Sequence, residues 1–343
     1  MKAAIHREHG PAEVLRVEDV PDPDCGPGEV LIAVRAAGLN RLDVLQRQGP
    51  ALIPNFSLPH IPGMDVAGEV TAIGPEVNAV RVGERVVVNP ALHCGHCDAC
   101  LGGDDGLCPH VRVVGGNHPG GFAQWCVVPE THVISIPEGM TDSEACAFPT
   151  NYSTAWHGLV VTGRLQVGET VMIHGSGSGV SIAAIQIAKR AGAQVIATSG
   201  SARKLEAAHR LGADAVINHE SGNLVAEARA ATLGRGVDMV LDHVGPALFQ
   251  ASILSLRPHG RLVFCGTTTG NQACFNLPFA YHFGISLLGV DPYRYREFDE
   301  MLRWCWRADL HPVIDTEFAL ADVVGAQHRM ERGESIGKIV LRP

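Results

Sequence analysis

The chain has 343 residues, more than one hydrophobic core usually organises, so two domains are expected. Its 27 Lys+Arg against 36 Asp+Glu give a formal charge of -9, which repels a phosphate backbone, and no basic cluster offsets it; nucleic acid is excluded as a partner. Charge interrupts every long apolar stretch before membrane-spanning length, and MKAAIHREHG lacks the apolar centre of a secretory signal, so a cytoplasmic protein with no membrane partner is expected.

Up to about residue 150 the sequence is a series of short β-type runs punctuated by Gly and Pro: VLIAVRAAG, DVAGEVTAIG, GERVVVNP, AQWCVVPE and THVISIP. They predict an antiparallel, barrel-like β domain over 1–150. From Thr170 apolar strands alternate with amphipathic helices: TVMIHG, VSIAAIQIAKRAGA, VIATSG, SARKLEAAHRLGA, AVIN, DMVLDHVG, PALFQASILSLRP, RLVFCG and ISLLG. That alternation predicts an α/β domain over 151–290, a doubly wound parallel sheet with helices on both faces. A helical segment, YREFDEMLRWCWRADL, opens residues 291–343, and the closing KIVLRP is expected to return as a strand to the first domain.

Four of the ten cysteines, Cys94, Cys97, Cys100 and Cys108, follow the pattern C-x2-C-x2-C-x7-C, a metal-ligand spacing. The scattered Cys25, Cys126, Cys146, Cys265, Cys274 and Cys305 are read as small apolar residues.

The strand TVMIHG enters a glycine-rich turn, Gly175-Ser176-Gly177-Ser178-Gly179-Val180, that opens a helix. Small residues let the backbone approach a pyrophosphate, and the helix N-terminus offers unpaired N–H groups and a positive dipole end. The run departs from strict G-x-G-x-x-G: Gly175, Gly177 and Gly179 are followed by Ser181, at the position where close helix packing usually wants Gly. At the end of the next strand an NAD binder places Asp or Glu; here Ser199, Gly200 and Ser201 carry no carboxylate, and Arg203 and Lys204 follow closely. This favours NADP(H), with Arg203 and Lys204 on the 2′-phosphate; the alternative is that both form only the solvated face of the next helix.

GLNRLD, IPGMDVAGEVTAIG, VGERVV, the four-cysteine segment, GGFAQW, NYSTAWHGL, HGSGSGV, DHVG and GKIVL occur in one order along the whole chain. Together they resemble the medium-chain dehydrogenase/reductase superfamily, which includes zinc alcohol dehydrogenases and quinone oxidoreductases. The resemblance implies a GroES-like catalytic domain interrupted by a Rossmann domain, in a homodimer or homotetramer. It also implies a lobe at residues 94–108 with one structural zinc on Cys94, Cys97, Cys100 and Cys108, whose four thiolates leave no position for substrate.

The resemblance breaks at the family's catalytic zinc. Asn40 stands in place of Cys, Met64 in place of His, and the third position falls near Thr150, a poor shell for this ion. The expected chemistry is therefore hydride transfer from NADPH to an activated C=C (enone) or a quinone, with a small carbonyl compound, enone or quinone as substrate. Two alternatives stand beside it: an alcohol or aldehyde dehydrogenase with a metal site rebuilt from Asp65 and nearby His60, His93, His96 and His118, and a non-catalytic NADP(H)-binding protein. Asn40 is read as an amide donor to the substrate carbonyl or a turn residue, Asp43 as an organiser of the site or a partner of local N–H groups, and Asp65 as a proton donor if buried without a metal. Thr154, in the segment of Asn151, Tyr152 and His157, matches a stretch along the nicotinamide cleft. Val244, Gly245, Cys265 and Gly266 fall at strand ends where a doubly wound sheet binds its ligand. Lys338 matches a family position near the cofactor cleft, with a plain surface lysine as the alternative.

Overall fold

The computed structural model describes residues 1–50 and 52–343, which leaves Ala51 of the segment QRQGPALIP outside the described residues. Two compact units result: Met1–Thr150 with Arg294–Leu302 and His311–Pro343, and Asn151–Tyr293 with Arg303–Leu310. In chain order the first unit contributes β1 (Glu29–Leu39), α1 (Arg41–Gln48), β2 (Asp65–Ile73), β3 (Arg85–Val88), β4 (Trp125–Pro129) and β5 (Val133–Ser135). The second contributes β6 (Thr170–Ile173), α2 (Gly179–Arg190), β7 (Gln194–Ser199), α3 (Ala202–Arg210), β8 (Ala215–Asn218), β9 (Val237–Asp242), β10 (Leu256–Phe264) and β11 (Ser286–Gly289). The chain closes with α4 (Tyr295–Arg307), β12 (Ile314–Ala319), α5 (Val323–Glu331) and β13 (Lys338–Arg342).

In the first unit the strands run in the order β12-β13-β1-β2-β3-β5, with β4 on the other part of β1. The alternation in EVLIAVRAAGL buries Val30, Ile32 and Val34 on one face of β1. There they pack with Val66, Val70, Val86, Val88, Ile339 and Leu341. Pairing is antiparallel between β1 and β2, with Gly38 opposite Asp65, and between β13 and β1, with Leu39 opposite Ile339. This register sets residues 40, 65 and 338 at one end of the sheet. Gly38 is what lets them meet: a Cβ there would lie 2.3 Å from Lys338 Cε and 3.1 Å from Asp65 Cβ.

The second unit has an all-parallel sheet in the order β8-β7-β6-β9-β10-β11, the Rossmann arrangement. Every residue of β6 and β9 is buried, so both faces of the sheet are covered there. Among the described residues no helix is long and apolar enough to cross a membrane.

Several short helices have no periodic signal in the sequence, among them Arg41–Gln48 and Leu224–Ala231. Arg41–Gln48 is only eight residues long and sits inside β-type text; its signal was the Asn40-x-x-Asp43 start, where Asp43 accepts a bond from the Asn40 N–H at 2.7 Å. Leu224–Ala231 is announced by Asn223, whose Oδ1 accepts from the Ala226 N–H at 3.1 Å.

Candidate active site, nucleotide turn and zinc lobe

The sheet end described above holds a buried polar cluster. Asp65 is fully buried and Lys338 is 2 % exposed, and the ammonium of Lys338 donates to Asp65 Oδ2. Lys338 also donates to Asn40 Oδ1 at 2.7 Å, and Asn40 Nδ2 donates to Asp65 Oδ2 at 3.0 Å. The other oxygen of Asp65 accepts from the Thr150 N–H at 3.0 Å and the Thr150 hydroxyl at 2.5 Å. All four groups donate toward Asp65, so both of its carboxyl oxygens are acceptors in this cluster. Lys338, placed by resemblance near the cofactor cleft, ends inside this cluster. Its two bonds fix the orientation of the Asn40 amide, carbonyl toward the ammonium and NH2 toward the carboxylate.

One step along α1, Asp43 is also buried and accepts from the N–H groups of Asn40 at 2.7 Å and Gly63 at 3.0 Å. Burial pushes its carboxyl up to about 7 against the pull of those two donors. Met64, at the position where the zinc enzymes have His, is buried at 9 % exposure.

In the second unit β6 passes through Gly175, whose φ of 63° belongs to the left-handed region, into α2. Ser178 caps the helix by accepting from the Ser181 N–H at 3.0 Å. The small residues make room for neighbouring side chains: the Lys204 stem lies over Gly177 and the Asn151 amide over Gly179, each within 2.5 Å of where a Cβ would be. Ser181, the departure from the Gly-rich pattern, donates to the His174 carbonyl at 2.7 Å and lies 2.6 Å from His243 Nε2. His174 itself sits between Thr198 Oγ1 at 2.7 Å and Ser252 Oγ at 2.8 Å, and burial lowers it to about 3. This Ser–His network beneath the turn had no signal in the sequence, because its members lie far apart along the chain. Asp242 accepts from the N–H groups of Val244 and Gly245 at 2.7 and 2.9 Å, and burial raises its carboxyl. The Cys265 N–H bonds the Asp242 carbonyl at 2.9 Å, and Gly266 lies against His243, whose carbonyl a Cβ would approach to 2.3 Å. Thr154 is on the helix Pro149–Trp156, half-buried, while Tyr152 on the same helix is core at 1 % exposure.

The cysteine pattern closes on itself. All four Sγ atoms lie within 4.8 Å of one another, with Cys94–Cys100 and Cys97–Cys108 at 3.8 Å. The N–H of His96, and less strongly that of Cys97, hold the Cys94 thiol down at about 6. The acidic pair that follows is structural: Asp104 accepts from Arg294 Nη2 at 2.7 Å, and Asp105 from the Tyr295 N–H at 2.6 Å, tying the lobe to the start of α4.

Residues 26–138 match the model of the alcohol dehydrogenase GroES-like domain, and residues 179–307 that of the zinc-binding dehydrogenase family. The chain is 35% identical to a sorbitol dehydrogenase of Bacillus subtilis over 85% of its own length and 82% of that protein. The chain belongs to the medium-chain dehydrogenase/reductase superfamily. It is also 29% identical to an acryloyl-coenzyme A reductase of Sulfurisphaera tokodaii, over 97% of this chain and 98% of that one. Among solved structures, an NAD-dependent alcohol dehydrogenase superposes with a TM-score of 0.95 at 37% identity, with both chains covered in full.

A member of this superfamily is an oxidoreductase, and its metal positions can be tested by their donors. A tetrahedral zinc thiolate shell, with Zn–S near 2.3 Å, has S–S edges of about 3.8 Å. The Cys94–Cys100 and Cys97–Cys108 pairs have that spacing and all four thiols lie within 4.8 Å, so Cys94, Cys97, Cys100 and Cys108 fit the ion. Asn40, Met64 and Thr150 do not: an amide already bonded on both sides, a thioether and a hydroxyl committed to Asp65 offer no ligand of the usual kind. The histidines do not rebuild the site either. His60 bonds the Gly115 carbonyl at 2.9 Å, His118 the Val127 carbonyl at 3.0 Å and His96 the Cys94 carbonyl at 2.8 Å, while the ring of His93 packs against His132 and Tyr295. Among the described residues, the four cysteines are the one group of His, Cys, Asp or Glu gathered closely enough to hold a metal.

Proposed function

We propose that the protein is an NADP(H)-dependent oxidoreductase that transfers hydride to a C=C bond conjugated with a carbonyl, or to a quinone, without catalytic zinc, and that its cysteine lobe holds one structural zinc. The observation that carries this reading is the Asn40–Asp65–Thr150–Lys338 cluster. Where zinc alcohol dehydrogenases place a Lewis acid, this chain has a buried ammonium neutralised by a carboxylate. Without such an ion, oxidation of a simple alcohol lacks the group that makes an alkoxide accessible near neutral pH.

The nicotinamide, when bound, supplies the hydride. The turn from Gly175 to Val180 and the N-terminus of α2 receive the pyrophosphate, and Arg203 and Lys204 receive the 2′-phosphate. As hydride adds to the β-carbon, negative charge gathers on the conjugated oxygen. Asn40 Nδ2 has two hydrogens, one of them given to Asp65, and the other is the donor for that oxygen. Lys338 and Asp65 are positioning residues that hold the amide. The enolate then takes a proton at the α-carbon from solvent.

A relative named for reducing acryloyl-coenzyme A, an enoyl thioester, supports the substrate class. A homodimer or homotetramer is part of the reading, with the edge strand β11 as the pairing segment. The test is NADPH turnover, followed by nicotinamide absorbance, across enones, enoyl thioesters, quinones and simple alcohols with NADP+. Oxidation of NADPH by members of the first three classes is expected; turnover confined to alcohols and aldehydes would refute the reading, and tight binding without any turnover would leave a nucleotide-binding protein.

A further inference from the structure

The ends of β7 and β8 stand side by side, with Ser199 opposite Asn218 in a parallel pair. The residues that follow each strand therefore leave the sheet as neighbours: Gly200 and Ser201 after β7, His219 and Glu220 after β8. Their side chains separate. His219 turns toward the sheet, its Nδ1 3.4 Å from Thr198 Oγ1. Glu220 is exposed, and its N–H donates to Asn218 Oδ1 at 3.0 Å, which fixes where the side chain starts. That side chain then crosses back over Gly200: a Cβ built there would lie 2.5 Å from Glu220 Cδ and Oε1 and 2.9 Å from its Cγ.

Dinucleotide-binding folds place an Asp or Glu at the end of the second strand to accept from the adenosine ribose 2′-hydroxyl. This chain has no carboxylate of its own on β7, but β8 delivers one to the same place, and Gly200 is the residue whose missing side chain makes room for it. A carboxylate there accepts from a 2′-hydroxyl and repels a 2′-phosphate. Arg203 and Lys204, on the first turn of α3, act in the opposite direction.

We propose that Glu220 is a specificity-determining residue for the coenzyme, binding the ribose 2′-hydroxyl of NAD(H) and opposing the 2′-phosphate, so that the site accepts both NADPH and NADH. This rests on the reading of the Gly175–Gly179 turn as the dinucleotide site.

The experiment measures dissociation constants of NADPH and NADH, by nicotinamide fluorescence, for the wild type and for Glu220→Gln, Gly200→Ala and Arg203→Ala, with circular dichroism to confirm that each folds. Glu220→Gln keeps the shape and removes the charge; it should weaken NADH and tighten NADPH, moving the selectivity ratio toward NADPH by roughly tenfold. Gly200→Ala displaces the same carboxylate without removing it and should weaken NADH, whereas Arg203→Ala should move the ratio the other way. A ratio unchanged in Glu220→Gln with both coenzymes still bound would overturn the role of Glu220 alone. A wild type that prefers NADPH by more than about a thousandfold would overturn dual acceptance. Binding of neither coenzyme would overturn the dinucleotide site itself, and the proposal with it.

Discussion

Replacing Lys338 with Met removes a buried charge and leaves its partner behind. Lys338→Met keeps most of the apolar stem that passes over Gly38 but deletes the donor to Asp65 Oδ2 and the 2.7 Å bond to Asn40 Oδ1. Asp65 retains Thr150 and Asn40 as donors but faces no cation, in a place with no exposed surface. Breaking a buried pair by removing one member costs about 3–5 kcal/mol, because the remaining charge stays desolvated. For a domain of this size about 2–4 °C is lost per kcal/mol, so the first unit should melt roughly 6–20 °C lower. Thermal unfolding with a urea series measures both quantities. The double variant Asp65→Asn/Lys338→Met should recover part of the loss, since the amide oxygen can still accept from Thr150 and no charge is left stranded. A single variant within about 0.5 kcal/mol of wild type would refute the argument, because an exposed or screened pair would behave that way.

Other outcomes follow from the same geometry. Arg203→Ala should lose a charge-assisted bond of about 1.5–3 kcal/mol, hence roughly ten- to a hundredfold in NADPH affinity, with NADH spared; an unchanged NADPH dissociation constant removes Arg203 from the site. Asn40→Ala should lower kcat on an enone by about 10²–10³-fold while the nucleotide dissociation constants hold, since the amide meets charge that develops only in the transition state; a loss confined to KM would count against that role. Burial holds His60 and His132 down at about 4 and lowers His6 as well, against a usual value of 6.5. Above 6.5 these imidazoles are neutral in both folded and unfolded chains and the stability is full. Between 6.5 and about 4 the unfolded chain takes up protons that the folded one refuses, so stability should fall as pH drops through that window. Urea midpoints across that range measure the slope, and His60→Gln should flatten it; an identical slope in the variant would show that other groups carry it.

Much of the fold could be read from local pattern. The period-two alternation in EVLIAVRAAGL and the strand–helix rhythm after Thr170 each follow from which faces are buried, and burial leaves its mark residue by residue. Cysteine spacing is legible for a similar reason, since all four thiols belong to one short loop. The cluster at the sheet end was not. Asp65 and Lys338 meet only through the pairing of β1 with both β2 and β13, and nothing near either residue announces a partner 273 positions away. From the sequence Asp65 therefore reads as a proton donor or as a metal ligand beside nearby histidines, and Lys338 as a neighbour of the cofactor cleft or a surface lysine. Glu220 is hidden for the same reason: an acid is expected on the strand that usually bears it, while the structure brings one from the strand alongside.

The central claim is that this protein works without a catalytic zinc, and the zinc content per chain, measured on protein purified without added metal or chelator, tests it most directly. One ion per chain, lost together with the order of the lobe at residues 94–108 on chelation, is the predicted result. Two ions per chain, with the second required for turnover, would mean that a metal displaces Lys338 from Asp65 and would contradict the account.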